Sequence, residues 1–185
     1  MPVAELDAQI ALVVVDLQVG TTANPTAHPV EGVITHAVHL VDAFRTRALP
    51  VVLATVTGTP AGRTAHGAGA REFPPAWSEL RPELDQQPDD LVVTRRTWSA
   101  FAGTDLDAQL RERGITQIVL AGLATSFGVE STARQGYDLG YGVVLAADAM
   151  TDPRQESHDA SVQRVFPALG QVATADEIVA LLPPV

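Results

Sequence analysis

Five short runs of apolar residues punctuate the chain. The first is Ala11-Leu12-Val13-Val14-Val15, and the others cover residues 51–55, 91–93, 118–121 and 143–147. They are rich in β-branched residues and do not alternate with polar ones. That pattern predicts strands buried on both faces, as in a parallel sheet. A weaker sixth run covers 171–174. Between the runs, apolar residues recur at helical spacing. Val33, Ile34, Ala37, Val38, Val41 and Phe44 predict a helix over 30–47. Leu106 and Leu110, stopped by Gly114, predict a second. Val129, Ala133 and Tyr137 predict a third that ends near Gly140. Pro153 suits the first position of a fourth helix running toward Phe166, and 176–182 forms a last short one. Alternation of this kind predicts an α/β fold with a parallel sheet covered by helices and right-handed crossovers. The 185 residues, with no internal repeat or linker, read as one domain spanning 1–185. One long Gly/Pro-rich segment, 58–88, interrupts the alternation; such a segment is functional or disordered. Trp77 and Leu80 within it predict a helical turn that docks on the body of the protein.

Composition narrows the chemistry. The chain has no cysteine, which excludes disulfides, thiolate metal sites and a cysteine nucleophile. It also has no lysine, which excludes Schiff-base and P-loop lysines. The formal net charge is −10, and Arg95-Arg96 is the only adjacent basic pair, so nucleic acid is not an expected partner. No basic leader precedes the first apolar run, and that run is too short to span a bilayer. The expectation is a cytoplasmic protein without membrane contact.

Ligands of open α/β sheets sit beyond the carboxyl ends of the strands. The first strand ends in Asp16-Leu17-Gln18. A carboxylate there is costly unless it is paired or functional. Asp16 is thus a general acid or base, or else a cap or ion-pair partner. Asp148 has a similar placement but precedes a helix start, which favours a structural role. The Gly-rich turn at 122–128 leads into a helix and could present backbone N–H groups to an anion. Thr125 or Ser126 could be its N-cap. Ser126 as a hydrolytic nucleophile is disfavoured because the G-x-S-x-G elbow is absent. His28, His36, His39, His66 and His158 show no metal-ligand spacing, so no metal or other cofactor is expected.

Several segments together resemble the isochorismatase-like hydrolase family, which includes nicotinamidases and other small amidases. They are Val14-Val15-Asp16-Leu17-Gln18, Ser99-Ala100-Phe101-Ala102-Gly103-Thr104-Asp105-Leu106, Val119-Leu120-Ala121-Gly122-Leu123-Ala124-Thr125, Glu130-Ser131-Thr132-Ala133, and Gly140-Tyr141 through Asp148-Ala149. The resemblance runs from about Ile10 to about Phe166. It implies a three-layer α/β/α fold with a six-stranded parallel sheet in 3-2-1-4-5-6 order. It also implies a cis Leu123–Ala124 peptide and a homodimer or larger homo-oligomer. The family's hydrolytic Asp, Lys and Cys match Asp16, Arg95 and Gly128 here, so two of the three positions depart from the amidase pattern. The family's metal-binding Asp-x-His after the second strand is replaced by Ala54-Thr55-Val56-Thr57.

Without a thiol at position 128 there is no acyl-enzyme there. Glycine at this position is shared with the isochorismatase branch, whose Asp acts as an acid. Arg95 complicates that analogy. A permanent cation beside Asp16 keeps it ionised, hence a base or an anchor. If Arg95 instead points into the pocket, it clamps a substrate carboxylate. Arg96 takes either role if the loop is shifted by one residue. The expected site is therefore catalytic Asp16, Arg95 and Gly128, with Gln18, Trp98, Phe101, Leu123, Ala124 and Thr125 binding a small polar substrate. The expected function is hydrolysis with Asp16 handling the proton or water. The alternative is a family member that binds a small molecule without turning it over.

Overall fold

The computed structural model of the chain describes residues 3–65 and 67–184. Its central sheet has six parallel strands: β1 (Ile10–Val15), β2 (Val51–Val56), β3 (Leu91–Arg95), β4 (Gln117–Leu123), β5 (Gly142–Thr151) and β6 (Gln171–Ala173). The order across the sheet is β6-β5-β4-β1-β2-β3, which is the arrangement the resemblance implies. The chain winds outward from β1 to β3, then returns to lay β4 against the other side of β1. The strand order reverses between β1 and β4, and a crevice opens there at the carboxyl ends.

The period-2 geometry of β1 sorts its side chains into two cores. Ile10, Leu12 and Val14 join the helices α1 (Val30–Thr46) and α5 (Ala175–Leu181) on one face. Ala11, Val13 and Val15 join α2 (Leu106–Glu112), α3 (Glu130–Asp138) and Phe166 on the other. All six β1 side chains are buried. This is why the run carries no polar residue.

Two boundaries differ from the pattern-based expectation. β5 continues to Thr151 because a register shift after Leu120 lets Met150 and Thr151 pair with Gly122 and Leu123. Pro153 does not start the next helix: α4 spans Gln155–Ala160 and passes through a π-helical turn, Ser161–Val165, into Phe166–Leu169. Among the described residues no helix is long and apolar enough to cross a membrane.

The segment 58–88 is ordered by short-range pairing. Gly58–Thr59 pairs with Arg71–Glu72, and Arg63–Thr64 with Gly67–Ala68, making a small two-stranded arm. A helical turn, Pro75–Ser78, follows and docks on the turn Val19–Thr22 that comes after β1. There Trp77 lies so close to Gly20 that a Cβ on Gly20 would fall 2.0 Å from an indole carbon. The side chain of Gln18 donates to the Val56 and Ser78 carbonyls at 3.0 and 2.7 Å and accepts from the Val56 amide at 2.9 Å. It bolts β2 and the docked turn to the end of β1.

Candidate active site

The site begins where β1 stops. Asp16 has φ 51°, in the left-handed region that Asp visits more readily than most side chains. Its amide still donates to the Ala54 carbonyl at 2.9 Å, so the break from strand geometry occurs at this residue. Its carboxylate meets Arg95, the last residue of β3, two strands away. Nη1 and Nη2 of Arg95 donate to Oδ1 and Oδ2 of Asp16 at 2.6 and 2.9 Å. Nε donates to the Ser99 carbonyl and Nη2 also to the Trp98 carbonyl. The guanidinium side chain is 1% exposed and the carboxylate side chain 10%. Burial raises the Asp16 pKa above its ordinary value; the hydrogen bonds and charge of Arg95 act against it.

The opposite wall is the turn after β4. Gly122 sits at φ 116°, and a Cβ there would lie 1.9 Å from the Val15 carbonyl oxygen, so only glycine lets β4 pass β1 at this point. The Leu123–Ala124 peptide is cis. A π-helical turn, Thr125–Val129, follows and brings Gly128 against Asp16. A Cβ on Gly128 would lie 3.2 Å from Asp16 Oδ2, 3.1 Å from the Leu123 oxygen and 2.9 Å from Val15 Cγ1. Neither Thr125 nor Ser126 caps this turn. The capping group comes from across the fold: the buried Asp152 accepts from the Ser126 amide and hydroxyl at 2.8 and 2.7 Å. Thr125 instead pairs its hydroxyl with His158 Nδ1 at 2.9 Å.

Asp16 and Gly128 form the floor of a cavity of about 300 Å3. Its walls include Phe73, Trp77, Trp98, Phe127, Leu123, Ala124 and Pro153, and its rim carries Arg96. Phe73 and Trp77 are in contact, with centroids 4.2 Å apart, and Trp98 meets Phe127 edge-on at 5.1 Å. A larger cavity of about 500 Å3 lies at the other end of the sheet, between Arg45, Pro50, Asp90 and Arg113. It is remote from the strand carboxyl ends, and its Arg45 and Asp90 are already paired at 2.6 Å.

The chain matches the isochorismatase domain model over residues 10–177. The isochorismatase family protein YwoC of Bacillus subtilis is 41% identical over 175 residues, covering 90% of each chain. The chain belongs to the isochorismatase family. An isochorismatase family protein from Burkholderia thailandensis has a similar structure, with TM-score 0.91 and 42% identity over 96% of this chain and 97% of the other. N-carbamoylsarcosine amidase from Thermoplasma acidophilum is also similar, with TM-score 0.77 and 26% identity over 91% and 97%.

Within this isochorismatase-family fold, the three positions matched to the family's Asp, Lys and Cys come together at one point. Trp98, Leu123 and Ala124 line the cavity. Three other expected binding residues are placed elsewhere. Gln18 is buried in the bolt described above. Phe101 is a core residue stacked on Tyr141, 5.7 Å between centroids, and packs in the cluster that includes Leu106, Leu110 and Ala133. Thr125 is fully buried against His158. Arg95 does not line the cavity, so it is the partner of Asp16 and not a clamp for a substrate carboxylate. Phe73 and Phe127 were not singled out from the sequence, and Trp77 was expected only as a docking residue. The signal for this wall is Trp77 and Phe73 within an otherwise Gly/Pro-rich stretch. Among the described residues no group of three or more His, Asp or Glu side chains is arranged to hold a metal ion. His66 lies outside the described residues.

Proposed function

We propose that this isochorismatase-family hydrolase works by direct attack of water, with Asp16 as proton acceptor and no covalent intermediate on the protein. The observation that carries this reading is the buried Asp16–Arg95 pair opening onto a cavity beside a residue with no side chain. Arginine keeps its proton in proteins. A neutral Asp16 would leave the Arg95 cation buried with only carbonyl partners, so the pair is ionic at neutral pH. An ionised Asp16 accepts a proton rather than donating one. As the water oxygen bonds to the substrate's electrophilic carbon, Asp16 takes the water proton; the bond from that carbon to the leaving group then breaks with its electron pair on the departing atom, and Asp16 returns the proton to that atom. Arg95 holds the carboxylate in place and is a positioning residue.

The likeness to N-carbamoylsarcosine amidase supports carbon–nitrogen hydrolysis as one class to test. Amides, imides and enol ethers form the assay panel. On a substrate that turns over, Asp16→Asn should lower the rate by at least about a hundredfold, the lower end for general acid–base catalysis. Unchanged turnover would sink the Asp-centred mechanism and make Ser126 the next residue to test. The acid limb of the rate should lie above the ordinary carboxylate range, because burial raises Asp16 and protonation removes the base. A second reading, ligand binding without turnover, is favoured by one observation: both Asp16 oxygens already accept from Arg95. Saturable binding across the panel with no product would support it.

A further inference from the structure

Arg95 commits four of its five guanidinium N–H groups to Asp16, Ser99 and Trp98, and it is not part of the cavity lining. The next residue, Arg96, leaves the strand on the other side and lines the cavity rim. Asp16 and Arg96 are the charged residues of that lining. Asp16 is buried and the Arg96 side chain is half exposed, so the carboxylate lies deeper in the lining than the guanidinium. Arg71, on the arm, lines a neighbouring groove with Trp98 instead.

Arg96 Nη2 donates to Glu72 Oε1, the last residue of the two-stranded arm, at 2.5 Å. The side chains are 47% and 77% exposed. An ion pair this exposed contributes little net stability and exchanges readily. Glu72 supplies a carboxylate to Arg96 at the mouth of an aromatic-walled cavity. A ligand carboxylate arriving there would meet the same donor, with a planar fork suited to bidentate contact. The flat apolar body of such a ligand would lie between the Phe73–Trp77 and Trp98–Phe127 pairs, inward toward Asp16.

We infer that Arg96 is the specificity-determining residue of the pocket, that it selects ligands bearing a carboxylate on a small flat apolar body, and that Glu72 occupies Arg96 until such a ligand displaces it. The inference rests on reading this cavity as the substrate site, but its test measures binding and not turnover. The chain has two tryptophans, and both line the cavity, so intrinsic fluorescence reports on it directly. Benzoate, benzamide and acetate are titrated by fluorescence and by calorimetry. Benzoate should bind at least about tenfold more tightly than benzamide, which lacks the charge, and than acetate, which lacks the body. Arg96→Gln should bring benzoate down to the benzamide level, while Arg96→Lys keeps part of the difference. Glu72→Gln should tighten benzoate several-fold and leave benzamide unchanged, because the internal competitor is gone.

Equal binding of benzoate and benzamide, undiminished benzoate affinity in Arg96→Gln, or no saturable benzoate binding would overturn the inference. Each of these leaves the Asp16 mechanism to its own turnover test. Conversely, loss of the Asp16 mechanism with the Arg96-dependent preference intact would leave this inference standing.

Discussion

Asp16 and Arg95 make a pair in which each side chain is tolerable only because of the other. Removing the cation leaves a carboxylate that is almost wholly enclosed. Arg95→Ala should therefore cost about 3–5 kcal/mol in urea unfolding, the range for breaking a buried ion pair from one side. It should also abolish turnover. Arg95→Lys retains the charge but not the two-pronged contact, so it should lose less stability and keep part of the activity. Gly128 sets a different limit. Its missing Cβ leaves room that is already bounded by Val15 and Asp16. Gly128→Ala should cost about 1–3 kcal/mol, as overpacking does. Gly128→Cys should not yield an amidase. A thiol there needs Val15 to move and an oxyanion site to act on, and the Ser126 amide is already held by Asp152. Amide hydrolysis assays, with intact-protein mass spectrometry for an acyl adduct, check this; a covalent adduct would contradict it.

At the level of elements, the turn after β4 is held from α4 and the end of β5 rather than by its own caps. Asp152 fixes Ser126, and His158 fixes Thr125. His158 packs edge-on against His28 at 4.6 Å, and His28 is tied to Thr151. Burial, and then the nearby His28, lower the pKa of His158, while Asp159 and Asp152 oppose the shift. The folded state resists protonation at His158, so the unfolded chain takes the proton first as pH falls. The stability from neutral His158 is present above the ordinary histidine value of about 6.5 and declines below it, until the folded state also protonates. Urea midpoints measured from pH 8 to pH 5 should fall in the acid range. His158→Asn, which places an amide near the Nδ1 position without a titrating ring, should flatten that fall. A slope unchanged in the variant would assign the pH dependence to other groups.

Across the whole molecule, the strand pattern carried most of the architecture because β1 and β4 are buried throughout and β2 nearly so, and such positions favour apolar residues. Asp16 was legible for the same reason: it is the first charge after such a run. Which neighbours face the cavity was legible only in part: Trp98, Leu123 and Ala124 line it, and Gln18, Phe101 and Thr125 do not. The left-handed φ at Asp16 and the π-helical turn at 125–129 redirect side chains, and hydrophobic periodicity does not encode either. Thus Thr125 fell into the core while Phe127 reached the cavity. The 58–88 segment was legible only as a docked irregular stretch, because its anchors are tertiary: Trp77 on Gly20 and Gln18 on Ser78. Trp77 belongs to neither core cluster. Trp77→Ala should therefore loosen this segment without unfolding the sheet, since local opening draws on local contacts and not on the global stability. Hydrogen exchange should accelerate at the amides of Val19, Trp77 and Arg81, which bond within or across the docked turn. Exchange in β1 and β4 should stay slow. The cavity should lose its wall at the same time, so benzoate binding should weaken together with the protection. Acceleration spread evenly over β1 and β4 would instead make the docked segment part of the cooperative core.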